Sequence, residues 1–396
     1  MDYNEKNIYR KGLLTGLIIA LTIACILMTA ILLFVYRSSE VLTPRVKAKV
    51  AALSNYIQNN YIDDVDVSAL QEGLYKGLVE GLGDEYSKYY SPEEAEEFKS
   101  DVTGEFCGMG AVLTVNDAGE VVVLKVYEGS SAQEIGLKRG DIIVAADDKF
   151  ASSMELSEFT QFTKGEEGTS FTLTYRRGDE TMQTKVTRKK VTIPSVSHKM
   201  LDGNIGYIEI SEFSNNTYSE YMKAVNELKA QGARGMIFDL RFNGGGLVDS
   251  AVNILDEILP KCKIVSLQIK NRPDTVYESD DEKKLDMPIA VLVSARTASA
   301  AEIFAGAIKD NNYGTLIGYK TFGKGVVQSS STLKDGSVVS VTSGKYYTPS
   351  GECIHKKGIE PDIQLEFDYL GDNMGEYNEM YDNQVRKAIE VINSKQ

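Results

Sequence analysis

The chain is poor in the residues that build metal centres, disulfide scaffolds and nucleic-acid-binding surfaces. Its 396 residues include four cysteines and two histidines, and tryptophan is absent. The cysteines form no CxxC pair and Cys25 lies within a long apolar run, so neither a disulfide scaffold nor a zinc site is expected. Lys and Arg number 43 against 57 Asp and Glu, a net charge of −14, which argues against nucleic acid as the main partner. No metal or cofactor requirement is predicted.

One long apolar run lies near the start of the chain. Residues 12–36 are uncharged and mostly apolar, long enough for a helix to cross a hydrocarbon core of about 30 Å. The run is longer than the apolar region of a signal peptide and lacks a small-residue cleavage site. We therefore expect a cytoplasmic tail over residues 1–11 and an uncleaved single-pass anchor in the cell membrane. Basic residues on both flanks leave the orientation open on charge alone, but the short tail favours an extracytoplasmic location for the remainder.

Residues 37–101 are predicted to be helical, because apolar residues recur at steps of three and four between Val46 and Phe98. Ser91 followed by Pro92 is typical of a helix start, with the serine as N-cap. The expected role of this region is a helical spacer that packs on the main body or on a second copy of the chain.

From about Gly104 the apolar period changes to two, which predicts strands in GEVVVLKV and TSFTLTYRRGDETMQTKVTRK. With the turn-and-strand segment GLKRGDII at residues 136–143, the region 102–191 resembles a PDZ domain. The segment GMGAVL then occupies the place of the carboxylate-binding loop. Backbone N–H groups there would receive the terminal carboxylate of a peptide that adds a strand to the sheet edge. The loop residues are Gly108, Met109, Gly110 and Ala111.

Residues 192–396 alternate apolar strands with amphipathic helices. Strands that alternate with helices predict an α/β layer with right-handed crossovers. The last helix is expected over residues 383–394. The predicted fold class is therefore α/β and multidomain, with helical segments at both ends and one transmembrane helix before them.

A candidate nucleophile follows the buried strand that ends near Ser294. A short polar turn leads into a helix whose apolar stripe leaves Ser299 at the first turn. A hydroxyl there lies at the positive end of the helix dipole, and the next N–H has no intrahelical partner. Acyl-transfer nucleophiles use this placement, with the free N–H directed at an oxyanion. Taken alone, the pattern is also explained by Thr297 or Ser299 acting as a plain N-cap.

Two residues are candidates for the base that a serine nucleophile needs. Lys324 lies between Gly323 and Gly325, where backbone can close around the amine and lower its pKa from the usual value of about 10.4. Serine–lysine pairs are an established variant of the catalytic triad, and Gln328 could orient the lysine without adding a charge. His355, in a turn-rich segment without an evident partner, is the alternative.

The segment FDLRFNGGG predicts a strand, a glycine turn and a following helix. Glycines before a helix expose N–H groups that suit an anion or oxyanion. The turn lacks the lysine and the hydroxyl residue of a phosphate loop. Asp239 and Arg241, which belong to the same segment, are predicted to be structural.

The segments DLRFNGGG, TASAAEI, TFGKGVVQ and YYTPSGECIHKKGIEPD resemble motifs of the C-terminal processing peptidases, also called tail-specific proteases. The resemblance runs from about Val46 to the end of the chain. It implies a crotonase-like α/β protease core with an inserted PDZ domain, in a family whose members often pair through helical termini. By position it implies Ser299 as nucleophile, Lys324 as general base and Gln328 as the residue that orients the lysine.

The resemblance also implies an oxyanion hole, formed by the N–H of Ala300 and that of Gly245 or Gly246. Beside these residues the sequence departs from the family pattern. Arg296 stands in place of the usual glycine, and Gly244 in place of the usual proline. These departures leave the implied chemistry whole and affect the local loop geometry.

The leading hypothesis is a membrane-anchored serine endopeptidase that cuts proteins whose flexible, apolar C-terminal tails dock in the PDZ groove, with homodimer formation expected. Two alternatives remain. One is a non-catalytic, membrane-tethered PDZ adaptor on an inactive protease core. The other is a Ser–His–Asp hydrolase that uses His355.

Overall fold

The computed structural model describes residues 3–37, 41–280, 284–371 and 377–395. Contacts divide the chain into two compact units, Met1–Leu74 and Tyr75–Gln396.

The first unit consists of helices. Helix α1 (Tyr3–Arg37) contains a 20-residue stretch, Lys11–Ala30, that is long and apolar enough to cross a membrane. Helix α2 (Pro44–Asn60) begins after Thr43, whose hydroxyl accepts a hydrogen bond from the N–H of Val46. This N-cap and the proline in the first turn fix the start of the helix. No α2 side chain is buried.

The region predicted to be helical throughout also contains a strand. Helix α3 (Val67–Glu80) is followed by strand β1 (Lys88–Tyr90) and helix α4 (Pro92–Thr103). The predicted N-cap of α4 is confirmed, since Ser91 Oγ accepts from the N–H of Glu94 and the Ser91 N–H donates to the Glu94 carboxylate. The helix prediction is wrong for β1, because three residues are too few to show a period of two and the pairing strand is distant in sequence.

The region predicted to be a PDZ domain forms a small antiparallel sheet with two helices. Its strands are β3 (Ala111–Val115), β4 (Val121–Val126), β5 (Ile142–Ala146), β6 (Lys149–Phe150), β7 (Ser170–Arg177) and β8 (Glu180–Thr187). The order is β3-β4-β5-β7-β8, with β6 paired to β5. The helices are α5 (Ser131–Glu134) and α6 (Leu156–Thr163). Before and after this sheet, β2 (Glu105–Gly108) pairs antiparallel with β9 (Lys189–Thr192).

Two further sheets form the rest of the second unit. The first contains β10 (Val196–Leu201), β11 (Ile205–Ile210), β12 (Gly235–Asp239), β15 (Ile289–Val293), β16 (Thr315–Gly318) and β19 (Ile363–Gln364), in that spatial order. All neighbours in it are parallel except β10 and β11. The second, antiparallel sheet contains β1, β13 (Lys263–Ile269), β14 (Thr275–Glu278), β17 (Val326–Thr332) and β18 (Val338–Tyr347). In it, β18 pairs with β1, β13 and β17.

Helices cover both faces of the mainly parallel sheet. They are α7 (Thr217–Ala230), α8 (Val248–Ile258), α9 (Ala300–Asp310) and α10 (Asn383–Ser394). Successive side chains of β12 point to opposite faces, so Phe238 packs in the cluster with α7, α8 and α9, whereas Ile237 packs with Ile392 of α10. Buried strands between two helical layers confirm the predicted α/β fold class.

A buried ionic network attaches α10 to the end of β12. The guanidinium of Arg241 donates to Asp239 and to Asp382 Oδ2, the latter at 2.6 Å. The side chain of Asp382 also caps α10 by accepting from the N–H of Gln384. Tyr207 donates to Asp239 Oδ2 at 2.7 Å. These contacts support the structural role predicted for Asp239 and Arg241, since both carboxylates are nearly inaccessible to water.

The substitution Arg241→Met is expected to destabilise the protein, because it leaves two buried carboxylates without their cation. Breaking a buried pair in this way costs about 3–5 kcal/mol. Urea unfolding of the full-length protein in detergent, monitored by circular dichroism, measures the decrease in the free energy of unfolding. The exposed Arg272→Met is the matched control, expected within about 0.5 kcal/mol of the parent. An Arg241→Met protein as stable as the control would contradict the structural role.

Candidate active site

The predicted catalytic loops follow three neighbouring parallel strands. The glycine turn follows β12, Ser299 follows β15, and Lys324 follows β16. The carboxyl ends of adjacent parallel strands lie at one edge of a sheet, which is where α/β proteins place their binding sites. There the structure has a cavity of about 820 Å³, and the predicted site residues that line it are Gly245, Gly246, Ser299, Lys324 and Gln328.

Ser299 lies at the turn between β15 and α9 in a strained conformation, with φ 55° and ψ −120°. Such a conformation costs a non-glycine residue about 1–3 kcal/mol and is retained where the surroundings impose it. Its carbonyl accepts a hydrogen bond from the Tyr346 hydroxyl at 3.1 Å. The turn therefore presents Ser299 to the cavity at the start of a helix, as the sequence predicted.

The glycines beside Lys324 allow close contact between two backbone segments. Gly323 has φ 93°, and a Cβ there would lie 2.8 Å from the N atom of Gly358. A Cβ on Gly325 would lie 2.5 Å from the N atom of His355. A side chain at either position would therefore displace the lysine loop, which explains why the chain has glycine on both sides of Lys324.

The amine of Lys324 lies in a partly dehydrated environment. Its Nζ is 4.8 Å from the centre of the Tyr86 ring. Burial lowers the pKa of Lys324, the positive charge of Lys88 lowers it further, and the carboxylates of Asp84 and Glu302 oppose this. Among the described residues no hydrogen bond joins Lys324 Nζ to the Ser299 hydroxyl, although both residues line one cavity.

Glu302, which sequence reasoning missed, connects the two predicted catalytic loops. Its side chain is fully buried and accepts four hydrogen bonds. Oε1 accepts from the Thr321 hydroxyl at 2.6 Å and the Gly323 N–H at 2.7 Å. Oε2 accepts from the Lys324 N–H at 2.8 Å and the Ser299 N–H at 3.0 Å. Burial raises the pKa of Glu302, and these hydrogen bonds partly offset the rise. The sequence signal was a carboxylate three residues after Ser299 inside an otherwise apolar helix.

The predicted oxyanion hole is partly available. The N–H of Gly245 donates to Asn243 Oδ1 at 2.8 Å, so it is already occupied. Among the described residues, the N–H groups of Gly246 and Ala300 have no acceptor. A Cβ on Gly245 would lie 3.1 Å from the N atom of Ala300 and 2.6 Å from Ser299 Cβ, which shows how closely the glycine turn approaches Ser299. Of the two predicted glycines, Gly246 has the free donor.

Gln328, the predicted orienting residue, and His355, the alternative base, both contact residues other than Lys324 and Ser299. Gln328 lines the cavity, but its amide donates to Thr342 Oγ1 at 3.2 Å instead of contacting Lys324. His355 packs edge-on against the Tyr86 ring at 6.2 Å, and its buried Nδ1 has no partner among the described residues. A Ser–His–Asp arrangement needs a carboxylate on that nitrogen.

The predicted carboxylate-binding loop is shorter than expected. Gly108 ends β2, where it pairs with Lys189, and Ala111 begins β3. Between them, the N–H groups of Met109 and Gly110 have no acceptor among the described residues. Strand β3 is an edge strand, and α6 packs against it. The loop thus offers two free donors at the end of a groove between an edge strand and a helix.

The described residues contain no group of three or more His, Cys, Asp or Glu side chains placed to hold a metal ion.

The substitution Glu302→Gln is expected to lower the free energy of unfolding by about 2 kcal/mol or more. The amide nitrogen of glutamine cannot accept hydrogen bonds, so donors that now bind one carboxylate oxygen of Glu302 would lose their acceptor. Urea unfolding of the full-length protein in detergent measures the change. Glu158→Gln, at an exposed position of α6, is the matched control. Equal stability of the two variants would show that the Glu302 carboxylate does not hold the two loops together.

Two family models match the chain. The model of peptidase family S41 matches residues 204–365, and the model of the PDZ domain matches residues 122–177. The first range includes the glycine turn, Ser299 and Lys324, and the second lies within the small antiparallel sheet.

Curated relatives match most of the chain. The carboxy-terminal processing protease CtpA of Bacillus subtilis is 34% identical over 353 residues, 87% of this chain and 76% of that protein. A CtpA-like serine protease of Staphylococcus aureus is 34% identical over 359 residues, 88% of this chain and 72% of that protein. One from Staphylococcus haemolyticus is 31% identical over 373 residues, 86% of this chain and 75% of that protein.

Two solved structures match most of the chain, and the first of them shares the fold. An S41 protease from Bacteroides fragilis superposes with a TM-score of 0.53 and 17% identity, covering 81% of this chain and 90% of that one. The photosystem II D1 C-terminal processing protease is 30% identical with a TM-score of 0.47, covering 80% of this chain and 86% of that one. On the extent and identity of the curated matches, the chain belongs to the peptidase S41 family, among the PDZ-containing carboxy-terminal processing proteases.

Proposed function

We propose that the chain is a membrane-anchored endopeptidase in which Ser299 is the nucleophile and Lys324 the general base. One observation carries the proposal: both residues line one cavity, and the buried carboxylate of Glu302 holds both of their loops. Serine–lysine pairs catalyse acyl transfer in unrelated folds. A partly dehydrated lysine can accept a proton near neutral pH, whereas an exposed lysine is protonated there.

The proposed reaction begins when Lys324 Nζ takes the proton of the Ser299 hydroxyl as Oγ attacks the peptide carbonyl. The oxyanion that forms accepts hydrogen bonds from the N–H groups of Ala300 and Gly246. The C–N bond then breaks and the lysine gives its proton to the leaving amine. Water, deprotonated by the same lysine, hydrolyses the acyl-enzyme and restores the serine.

Lysine and serine must approach each other for this step. In the proposed catalytic arrangement, Gln328 exchanges its contact with Thr342 for one with the Lys324 amine. Its amide oxygen would then orient the lysine toward Ser299. Apo enzymes commonly have long catalytic hydrogen bonds that shorten when substrate binds.

Substrate recognition is proposed to begin at the PDZ domain. The free N–H groups of Met109 and Gly110 suit a terminal carboxylate, and the edge strand β3 can pair with an extended tail. Gly108 and Ala111 flank this pair of donors, in β2 and β3. Proteins with flexible, apolar C-terminal tails are therefore the proposed substrates.

The proposed location is the cell membrane, with the catalytic unit on the extracytoplasmic side. The stretch Lys11–Ala30 of α1 would cross the membrane once. The short segment before it would remain in the cytoplasm.

The proposed function is tested with full-length protein in detergent and an unstructured protein that ends in apolar residues. Ser299→Ala and Lys324→Ala are each expected to reduce kcat/KM by about a thousand-fold or more. Ser331→Ala and Lys334→Ala, at exposed positions of the β17–β18 hairpin, are matched controls and should cleave like the parent. Blocking the terminal carboxylate of the substrate as an amide should raise KM.

Other outcomes favour the alternatives. A parent protein that binds the tail without cutting it would support the adaptor. Continued cutting by Lys324→Ala alone would place the base elsewhere, with His355 the next residue to replace.

We also propose that α2 pairs with a second copy of the chain. Its apolar residues Val46, Leu53 and Tyr56 are 38%, 53% and 68% exposed. The C-terminal helix is a weaker candidate than its sequence suggested, because Val385, Ala388 and Ile392 already pack on the sheet. A dimer that covers the α2 residues would remove this apolar surface from water.

The substitution Leu53→Glu is expected to shift the protein from dimer to monomer, because it places a charge in the apolar contact. Light scattering of the full-length protein in detergent, corrected for bound detergent, measures the mass. Asn55→Glu adds the same charge to another face of α2 and should leave the dimer intact. A monomeric parent would remove the idea.

A further inference from the structure

The cavity has a wall that the protease-family match does not cover. Residues 84–90, here called the 84–90 segment, precede residues 204–365 in the chain. Four of its side chains line the cavity, and they are Glu85, Tyr86, Lys88 and Tyr90. The segment therefore contributes to the surroundings of Lys324 from outside the catalytic loops.

The 84–90 segment is held firmly against the second sheet. Lys88 and Tyr90 pair with Ser340 and Val338 of β18. Ser87 Oγ accepts a hydrogen bond from the Thr342 N–H at 3.0 Å and donates to Asp84 at 2.5 Å. The strand pairing fixes the backbone of Lys88–Tyr90, and the two bonds of Ser87 fix the turn before it, so the side chains that face the cavity start from fixed positions.

The ring of Tyr86 is near both Lys324 and His355. Its centre is 4.8 Å from Lys324 Nζ and 6.2 Å from the centre of the His355 imidazole. The ring restricts where the amine can move and shields it from water. A ring face also attracts a protonated amine, so by itself it favours the charged lysine.

Charges of both signs face the same amine. Asp84 and Glu85 of the segment and Glu302 of α9 favour its protonated form, whereas Lys88 and burial oppose protonation. Lys88 is exposed and lines the same cavity as Lys324. Within the 84–90 segment, Lys88 is the side chain with a positive charge, the same sign as that of protonated Lys324.

We propose that Tyr86 and Lys88 are positioning residues for the proposed general base: the ring, whose centre is 4.8 Å from Nζ, seats the amine of Lys324, and Lys88 adds a positive charge to the wall of the same cavity. The inference rests on the proposed role of Lys324. The region before the PDZ domain would then help to set the pH range in which the protease is active. A helical spacer would have no such role.

Lys88 is tested by the pH dependence of kcat/KM of the full-length protein in detergent. The parent should lose activity on acidification as Lys324 becomes charged. In Lys88→Gln the acidic limb should move to higher pH. At a given pH on that limb, the kcat/KM of this variant should be lower than that of the parent by a factor of up to about three. Lys88→Arg keeps the charge and should follow the parent. Lys149→Gln, which removes an exposed charge from the PDZ domain, should also follow the parent.

Tyr86 is tested by removing the ring at similar apolar volume. Tyr86→Leu should lower kcat more than it changes KM, because the amine loses its seat. Its acidic limb should move to lower pH, opposite to that of Lys88→Gln, because the ring no longer favours the charged amine. Tyr86→Phe keeps the ring and should behave as the parent.

A readout without turnover separates this inference from the proposed function. In full-length Ser299→Ala protein, acetylation of Lys324 by acetic anhydride is followed by mass spectrometry across pH. The profile should shift to higher pH with Lys88→Gln and to lower pH with Tyr86→Leu. Unshifted profiles, or equal shifts for Lys88→Gln and Lys88→Arg, would overturn the inference even if the parent is an active Ser–Lys protease. Shifted profiles in a protein that never cleaves would overturn only the proposed function.

Discussion

The buried carboxylate of Glu302 is the interaction on which the site depends. A carboxylate removed from water is costly unless hydrogen bonds replace its hydration, and here the replacement comes from the loops of Ser299 and Lys324. Each loop therefore donates hydrogen bonds to the carboxylate of Glu302. If either loop moved away, its N–H groups and the carboxylate would lose these hydrogen bonds. This coupling accounts for the strained backbone of Ser299 and for the tight turn that carries Lys324.

The lysine itself is a compromise between opposed effects. The carboxylate that organises the loops also favours a charged lysine, as do Tyr86 and Asp84. Burial and the charge of Lys88 act against them. If Lys324 is the base, as proposed, its pKa can be tuned from outside the two loops, because the 84–90 segment adds charged and aromatic side chains to the same cavity.

Features that depend on residues close together in the sequence were predictable from it, whereas features that depend on contacts between separate segments were not. Period-two strands, the Ser91 N-cap and the strand–turn–helix around Ser299 depend on neighbours a few residues apart, and all three were predictable. Strand β1 depends on a partner far along the chain, and the contact of Gln328 depends on the register of the β17–β18 pair; local patterns indicated neither. Glu302 lay in the quoted motif, but its role needed the positions of two loops.

The sequence by itself determined the α/β alternation, the apolar N-terminal helix, the PDZ signature and the family motifs, because each is written in residue types at fixed local spacing. Only the tertiary structure decided which donors remain free and which charges surround the base. Gly246 keeps its N–H while Gly245 gives its own to Asn243, and Lys324 meets Tyr86 from a distant segment. These outcomes depend on distances between separate backbone segments, which pack together only when the whole core has formed.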